Sequence, residues 1–230
     1  MNWNLSCNCK TCLTPCDSKS KDIMNFTGID LINAEILEKK ITDFFNTHFR
    51  NTYSTLNAQR MDQYEHCGYP DIFVFDIKSS NTKWFEIKSG ERTFMTVNKQ
   101  CPHYDGIPSN TLCANTPDIR YYIDFSKYYG IWMLYVLNNR PCLTRFENKE
   151  HTRFFLINVN EKFKNYFYEN EKINEYIRKP SKFEIENGRI GETRNWHINI
   201  EKLIKEVGCA VDIGYDLNNI FYKKKNSHCH

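Results

Sequence analysis

Apolar positions along the chain change their period several times, and each change marks an element. From Thr27 to Phe49, Ala34, Leu37, Ile41, Phe44, Phe45 and Phe49 recur at three- and four-residue spacing, which predicts an amphipathic helix capped by Thr27 or Asp30. Leu37, Ile41, Phe44 and His48 line its apolar face, Glu38 lies on the shoulder and Glu35 further towards solvent. Residues 50–68 are polar and irregular, which predicts a loop or a short helix. Ile72 to Ile77 and Trp84 to Ile87 are β-branched and aromatic, and Lys78-Ser79-Ser80-Asn81-Thr82 between them is turn chemistry. Together they predict an antiparallel hairpin. Residues 105–118 are rich in Gly, Pro, Ser and Asn and read as a loop of the kind that faces a substrate. Asp118 to Tyr129 is too dense in aromatics to assign as helix or strand. Ile131 to Leu137 and Phe154 to Val159 read as buried strands completing a sheet with the hairpin. Glu161 to Arg178 is helical and ends at Lys179-Pro180; Ser181 to Ile200 holds short strand-like pieces, and Glu201 to Val207 is a short helix stopped by Gly208.

The hairpin carries the chemistry. Asp71 follows Pro70, a residue that cannot donate to a ladder and so belongs at a strand start. Glu86 and Lys88 are two apart on the second strand and share a face, with Ile87 turned to the other. Two carboxylates at close range raise each other's pKa unless a cation sits between them. Hard oxygen donors of this kind suit Mg²⁺ or Mn²⁺, and a lysine beside the ion can orient a water or neutralise charge on a phosphate.

Pro70-Asp71, a gap, and Glu86-Ile87-Lys88 resemble the signature of the PD-(D/E)xK nuclease superfamily. The resemblance covers about the middle third of the chain. It implies an α/β (α+β) protein with a restriction-endonuclease-like core, a central mixed β-sheet flanked by helices, in residues 23–160. A cysteine-rich leader over 1–22 would precede it, and a helical and irregular C-terminal extension over 161–230 would end in a basic tail. It further implies a Mg²⁺-dependent phosphodiester hydrolase, with Asp71 and Glu86 as metal ligands and Lys88 as the catalytic lysine. Glu38, with Glu35 in reserve, would be the helix glutamate that joins the metal shell. Gln100 and Tyr104 resemble a Q-x₃-Y pair that contacts nucleic acid in RecB-like members, although Pro102 stands between them, and Lys99 is a further phosphate contact. A DNA endonuclease of restriction or defence type is the leading expectation. An RNA-directed or structure-specific enzyme, for which His48 or His66 could serve, and a non-catalytic binding protein that keeps the fold are the alternatives. Symmetric cutting of a duplex would require a homodimer.

Composition adds limits. At 230 residues, with 40% apolar and 15% aromatic residues, the chain can bury a sizeable core. A net charge of +3 permits a nucleic-acid partner without demanding one. No apolar run is long enough for a membrane span and no signal segment opens the chain, which points to an intracellular, reducing compartment. The ten cysteines are then thiols or metal ligands. Cys7, Cys9, Cys12 and Cys16 could hold Zn²⁺ or an iron–sulfur cluster, although only Cys9 and Cys12 have the common zinc spacing.

Overall fold

The computed structural model of the chain describes residues 36–48, 56–60, 69–77, 80–90, 97–138, 152–180, 182–186, 191–214 and 217. They form a mixed α/β protein with two compact units. One is drawn from the described residues of Met1–Arg92, Tyr129–Ile157 and Asp212–His230, the other from those of Thr93–Tyr128 and Asn158–Val211. The chain thus passes repeatedly between units rather than dividing once near residue 160.

The first unit is organised on a six-stranded mixed sheet. Its strands are β1 (Leu56–Arg60), β2 (Ile72–Asp76), β3 (Asn81–Gly90), β5 (Ile131–Asn138), β6 (Thr152–Asn158) and β9 (Ala210–Gly214), in that spatial order. β1 and β2 are antiparallel, and β2 and β3 form the expected antiparallel hairpin, with Ile72 opposite Phe85 and Asp76 opposite Asn81. On its other side β3 runs parallel to β5, so that Glu86 faces Met133 and Lys88 faces Tyr135. Parallel neighbours need a long crossover, and residues 93–128 supply it. Helix α1, residues 36–48, buries Leu37, Ile41, Phe44 and Phe45 as its periodicity predicts. The Phe45 ring lies 5.0 Å from that of Phe85 on β3.

Two expectations give way here, and one strand appears where the sequence pattern assigns no element. The stretch 50–68 contains β1 rather than a loop or helix alone; Leu-Asn-Ala-Gln-Arg is a polar strand at the end of the sheet order, paired with β2. β9 was not legible as a strand, and it completes the sheet beyond β6, where Arg153 Nε donates to Asp212 Oδ2 at 3.1 Å. Residues 105–118 are no free flap: a 3₁₀ turn, Pro108–Asn110, leads into β4 (Thr111–Asn115), with Leu112 and Ala114 buried.

Gly90 closes β3 where only hydrogen fits. A Cβ there would stand 2.7 Å from the Tyr135 hydroxyl oxygen and 3.1 Å from its ring. Tyr135 is 1% exposed and cannot swing into solvent. Gly90→Ala is therefore expected to cost about 1–3 kcal/mol by overpacking, read as a lowered melting temperature.

The second unit holds a three-stranded antiparallel sheet, β4–β8–β7, with β8 at Thr193–Asn199 and β7 at Glu175–Arg178. Helix α2 is Val97–Gln100, α3 is Thr116–Phe125, α4 is Glu161–Asn174 and α5 is Lys182–Glu186. The aromatic-dense stretch after Asp118 is thus helical. The apolar stripe of α4 ends earlier than Arg178, because its last residues pair as β7 with β8. Asn160 caps α4, its side-chain oxygen accepting from the Lys162 and Phe163 N–H groups. Trp196, fully buried, packs edge-on against Phe163, Tyr166 and Phe167 of α4. Beyond β8, the short helix α6 (Ile200–Lys202) and a π-helical turn, Leu203–Val207, stop at Gly208, whose φ of 68° is the left-handed conformation that ends helices.

Candidate active site

β3 is the middle strand between an antiparallel and a parallel neighbour, and its residues Trp84 to Ile87 are all buried. A strand covered on both faces should be apolar throughout. Glu86 breaks that rule at 6% exposure. A buried carboxylate is costly unless paired, and the next side chain on the same face supplies the partner: Lys88 Nζ lies 2.9 Å from Glu86 Oε1. The E-x-K spacing therefore does physical work within the strand.

Asp71 joins them from the neighbouring strand. The β2–β3 pairing begins at Ile72 opposite Phe85, which brings Asp71, just before the strand, level with the next residues of β3. There its Oδ2 accepts the Ile87 N–H at 2.7 Å, in place of a ladder carbonyl. Burial, then the charges of Glu86 and Glu38, push the Asp71 carboxyl up to about 8, against the smaller opposing pull of the Ile87 N–H and Lys88. The charges of Glu38 of α1 and of Glu86 and Lys88 of β3 thus all act on Asp71, just before β2. Asp71 is the carboxyl on which the crowding falls.

No family model matches the chain, and no curated protein or solved structure matches it. The case for this site rests on its own geometry.

Among the described residues, no three His, Cys, Asp or Glu side chains stand as a ready-made metal-binding group. Lys88 takes up Glu86, and the Ile87 N–H takes up Asp71. The donor set nevertheless fits a hard divalent cation. Mutually repelling carboxylates, one held protonated near neutral pH, are neutralised by an ion that accepts oxygen ligands.

The remaining sequence candidates are placed as follows. Lys99, Gln100 and Tyr104 belong to the second unit. Helix α2 ends at Gln100, before Pro102, so Tyr104 is not on it, and the shared helical face expected of the Q-x₃-Y pair does not form. Tyr104 is 6% exposed, clustered with Val97, Cys101 and Tyr176, and its hydroxyl lies 2.9 Å from Thr111 Oγ1. Those are the surroundings of a core residue; Lys99 is exposed. His48 stacks on Phe44 at 4.2 Å and belongs to the packing of α1. Cys7, Cys9, Cys12, Cys16, Glu35 and His66 lie outside the described residues.

Two features of the site region were missed. Tyr135 stands opposite Lys88, but no pattern in the sequence sets the register of strands joined by a long crossover. Trp84 lies under Tyr69, and the signal was the pair of aromatics bracketing Pro70-Asp71 and Glu86. The buried thiol of Cys101, 3.5 Å from His197 Nδ1, was also unforeseen. Burial raises the Cys101 thiol and lowers His197, which makes them a neutral packing pair.

Among the described residues, no helix is long and apolar enough to cross a membrane.

Proposed function

We propose that this chain is a metal-dependent nuclease that hydrolyses phosphodiester bonds, a DNA endonuclease of restriction or defence type built on a restriction-endonuclease-like core. The observation that carries the reading is the clustering at Asp71: its carboxyl accepts the Ile87 N–H beside the Glu86–Lys88 pair of β3, and burial first, then Glu86 and Glu38, raises its pKa. The mixed sheet with α1 packed against β3 agrees with the fold that the PD-(D/E)xK resemblance implies.

Asp71 and Glu86, joined by Glu38, would hold Mg²⁺ or Mn²⁺. Such an ion supplies Lewis-acid stabilisation of negative charge on the phosphate. The protein's own part follows from the geometry. Lys88 Nζ carries protons and a positive charge within reach of Glu86, and a phosphate brought to the site competes with Glu86 for that ammonium. Released from Glu86, Lys88 can hold the attacking water in line and offset charge building on the phosphorus oxygens. Ile87 N–H fixes the Asp71 carboxyl before substrate arrives.

Cleavage of supercoiled plasmid tests the reading. Nicking or linearisation is expected with Mg²⁺ or Mn²⁺ and not with EDTA, and Lys88→Ala is expected to slow it about a hundredfold or more. Discrete fragments would indicate sequence recognition. Absence of cleavage on plasmid, single-stranded DNA, branched DNA and RNA, with nucleic-acid binding retained, would replace this reading with that of a binding protein.

A further inference from the structure

We propose that Tyr69, seated on Trp84, is a stacking platform for an unpaired base of the strand cut at the Asp71 and Glu86 carboxylates. The inference rests on the nuclease reading and narrows its substrate to single-stranded or locally opened nucleic acid.

The Tyr69 and Trp84 rings lie nearly parallel, at 11° with centroids 5.2 Å apart. Trp84 is 8% exposed, whereas Tyr69 is 47% exposed. The indole is buttressed by Phe73, directly opposite on β2 at 4.8 Å, and edge-on by Tyr129 at 6.5 Å. Tyr129 is itself 49% exposed. The first unit therefore carries a fixed aromatic stack whose outer members reach solvent.

The stack is anchored to the catalytic groups at two points. Tyr69 is two residues before Asp71, which limits their Cα atoms to about 7 Å, a span of one or two nucleotides at ~3.4 Å per stacked base. Trp84 is two residues before Glu86 and so shares its face of β3. Pro70, which is buried, confines the backbone of Tyr69 to extended conformations, and stacking on Trp84 positions its ring.

This arrangement selects a substrate by stacking. Every base has a π-face, so an aromatic platform binds without reading sequence. Within a duplex both faces of a base are covered by its neighbours. Only a base from a single strand, a frayed end or a displaced nucleotide can lie on Tyr69. A side chain needed only to cover Trp84 could be any apolar residue, and that difference makes the proposal testable.

The probe is single-stranded DNA carrying 2-aminopurine at successive positions, bound in Mg²⁺ to Lys88→Ala protein so that it is not cut. Quenching is expected at one position near the cleavage point. Adding Tyr69→Leu, which keeps the cover over Trp84 but not the ring, is expected to weaken single-strand binding about tenfold and leave duplex binding unchanged. Tyr69→Phe is expected to bind like the parent. An abasic residue at the quenched position, which alters no side chain, should cost the same factor. Equal single-strand binding by the Leu and Phe proteins, or indifference to the abasic residue, overturns the platform. If the Tyr69→Leu change on the otherwise wild-type chain leaves plasmid cleavage metal-dependent while single-strand binding is unaltered, the platform falls and the nuclease reading stands. Tyr69-dependent binding by a wild-type chain that cuts nothing keeps the platform and removes the nuclease reading.

Discussion

Asp71→Asn is expected to reduce cleavage about a thousandfold and, in the same protein, to raise the melting temperature of the metal-free form at pH 9. The first effect is loss of a ligand charge where a divalent cation would stabilise the phosphate, worth about 4 kcal/mol. The second follows from the raised carboxyl. Its folded pKa of about 8 stands above the unfolded value of 3.8, so the folded protein holds a proton that the unfolded chain releases. Stability from this group is full below pH 3.8 and is lost as pH rises through 8. At pH 9 the wild type carries an ionised, buried Asp71 beside Glu86 and Glu38, whereas an Asn is neutral and can still accept the Ile87 N–H through its carbonyl. The rise from 3.8 to about 8 caps the gain at about 6 kcal/mol, read at about 2–4 °C per kcal/mol for a chain of this size. Below pH 3.8, where Asp71 is protonated in the folded and unfolded chains alike, the two proteins should melt together. Saturating Mg²⁺ should reverse the order at pH 9, because the ion stabilises only the protein that binds it. Thermal melts at the two pH values, with Mg²⁺ or EDTA, check all of this. A variant that melts below wild type at pH 9 in EDTA, or gains as much from Mg²⁺, would remove Asp71 from the metal site.

How much of this site was readable depended on distance along the chain. Glu86 and Lys88 were legible because a strand's period of two puts them on one face. Asp71 was legible because Pro70 marks the strand start and the turn is short enough to fix the hairpin. Glu38 was named from its place on the helix wheel, and its influence on Asp71 then appeared in the electrostatics. Tyr135 was not assignable to the site, since the β3–β5 register is set after residues 93–128 have passed through the second unit. β1 and β9 were hidden for related reasons: strands of five residues owe their form to a neighbour, and local periodicity does not report a neighbour. Tyr104 failed as a predicted contact because a motif match fixes residue types without fixing burial. Pro102 was the local warning that the helix would end.

The same topology makes the second unit matter to the first. Trp196→Ala is expected to be the most damaging single core truncation here, costing about 3–5 kcal/mol of a total near 5–15 kcal/mol. Trp196 is fully buried, touches three aromatic rings of α4, with Phe167 nearest at 4.9 Å, and donates its indole N–H to the Asn170 carbonyl at 3.4 Å. An alanine would leave a cavity lined by rigid rings that cannot collapse into it. Calorimetry should show the melting temperature lowered by roughly 10 °C, while Tyr121→Ala, at an exposed position of α3, should change little. The consequence for cleavage is topological. β3, which bears Glu86 and Lys88, pairs with β5 only after the chain has passed through residues 93–128. When that segment is folded its ends are fixed; when it unfolds, closing the β3–β5 pair costs the entropy of a long flexible loop. Cleavage by Trp196→Ala should therefore fall along the melting curve of the second unit, several degrees below the temperature at which wild-type activity is lost. Activity that survived this melting unchanged would show that the strand pair bearing the site stands without the segment that connects it.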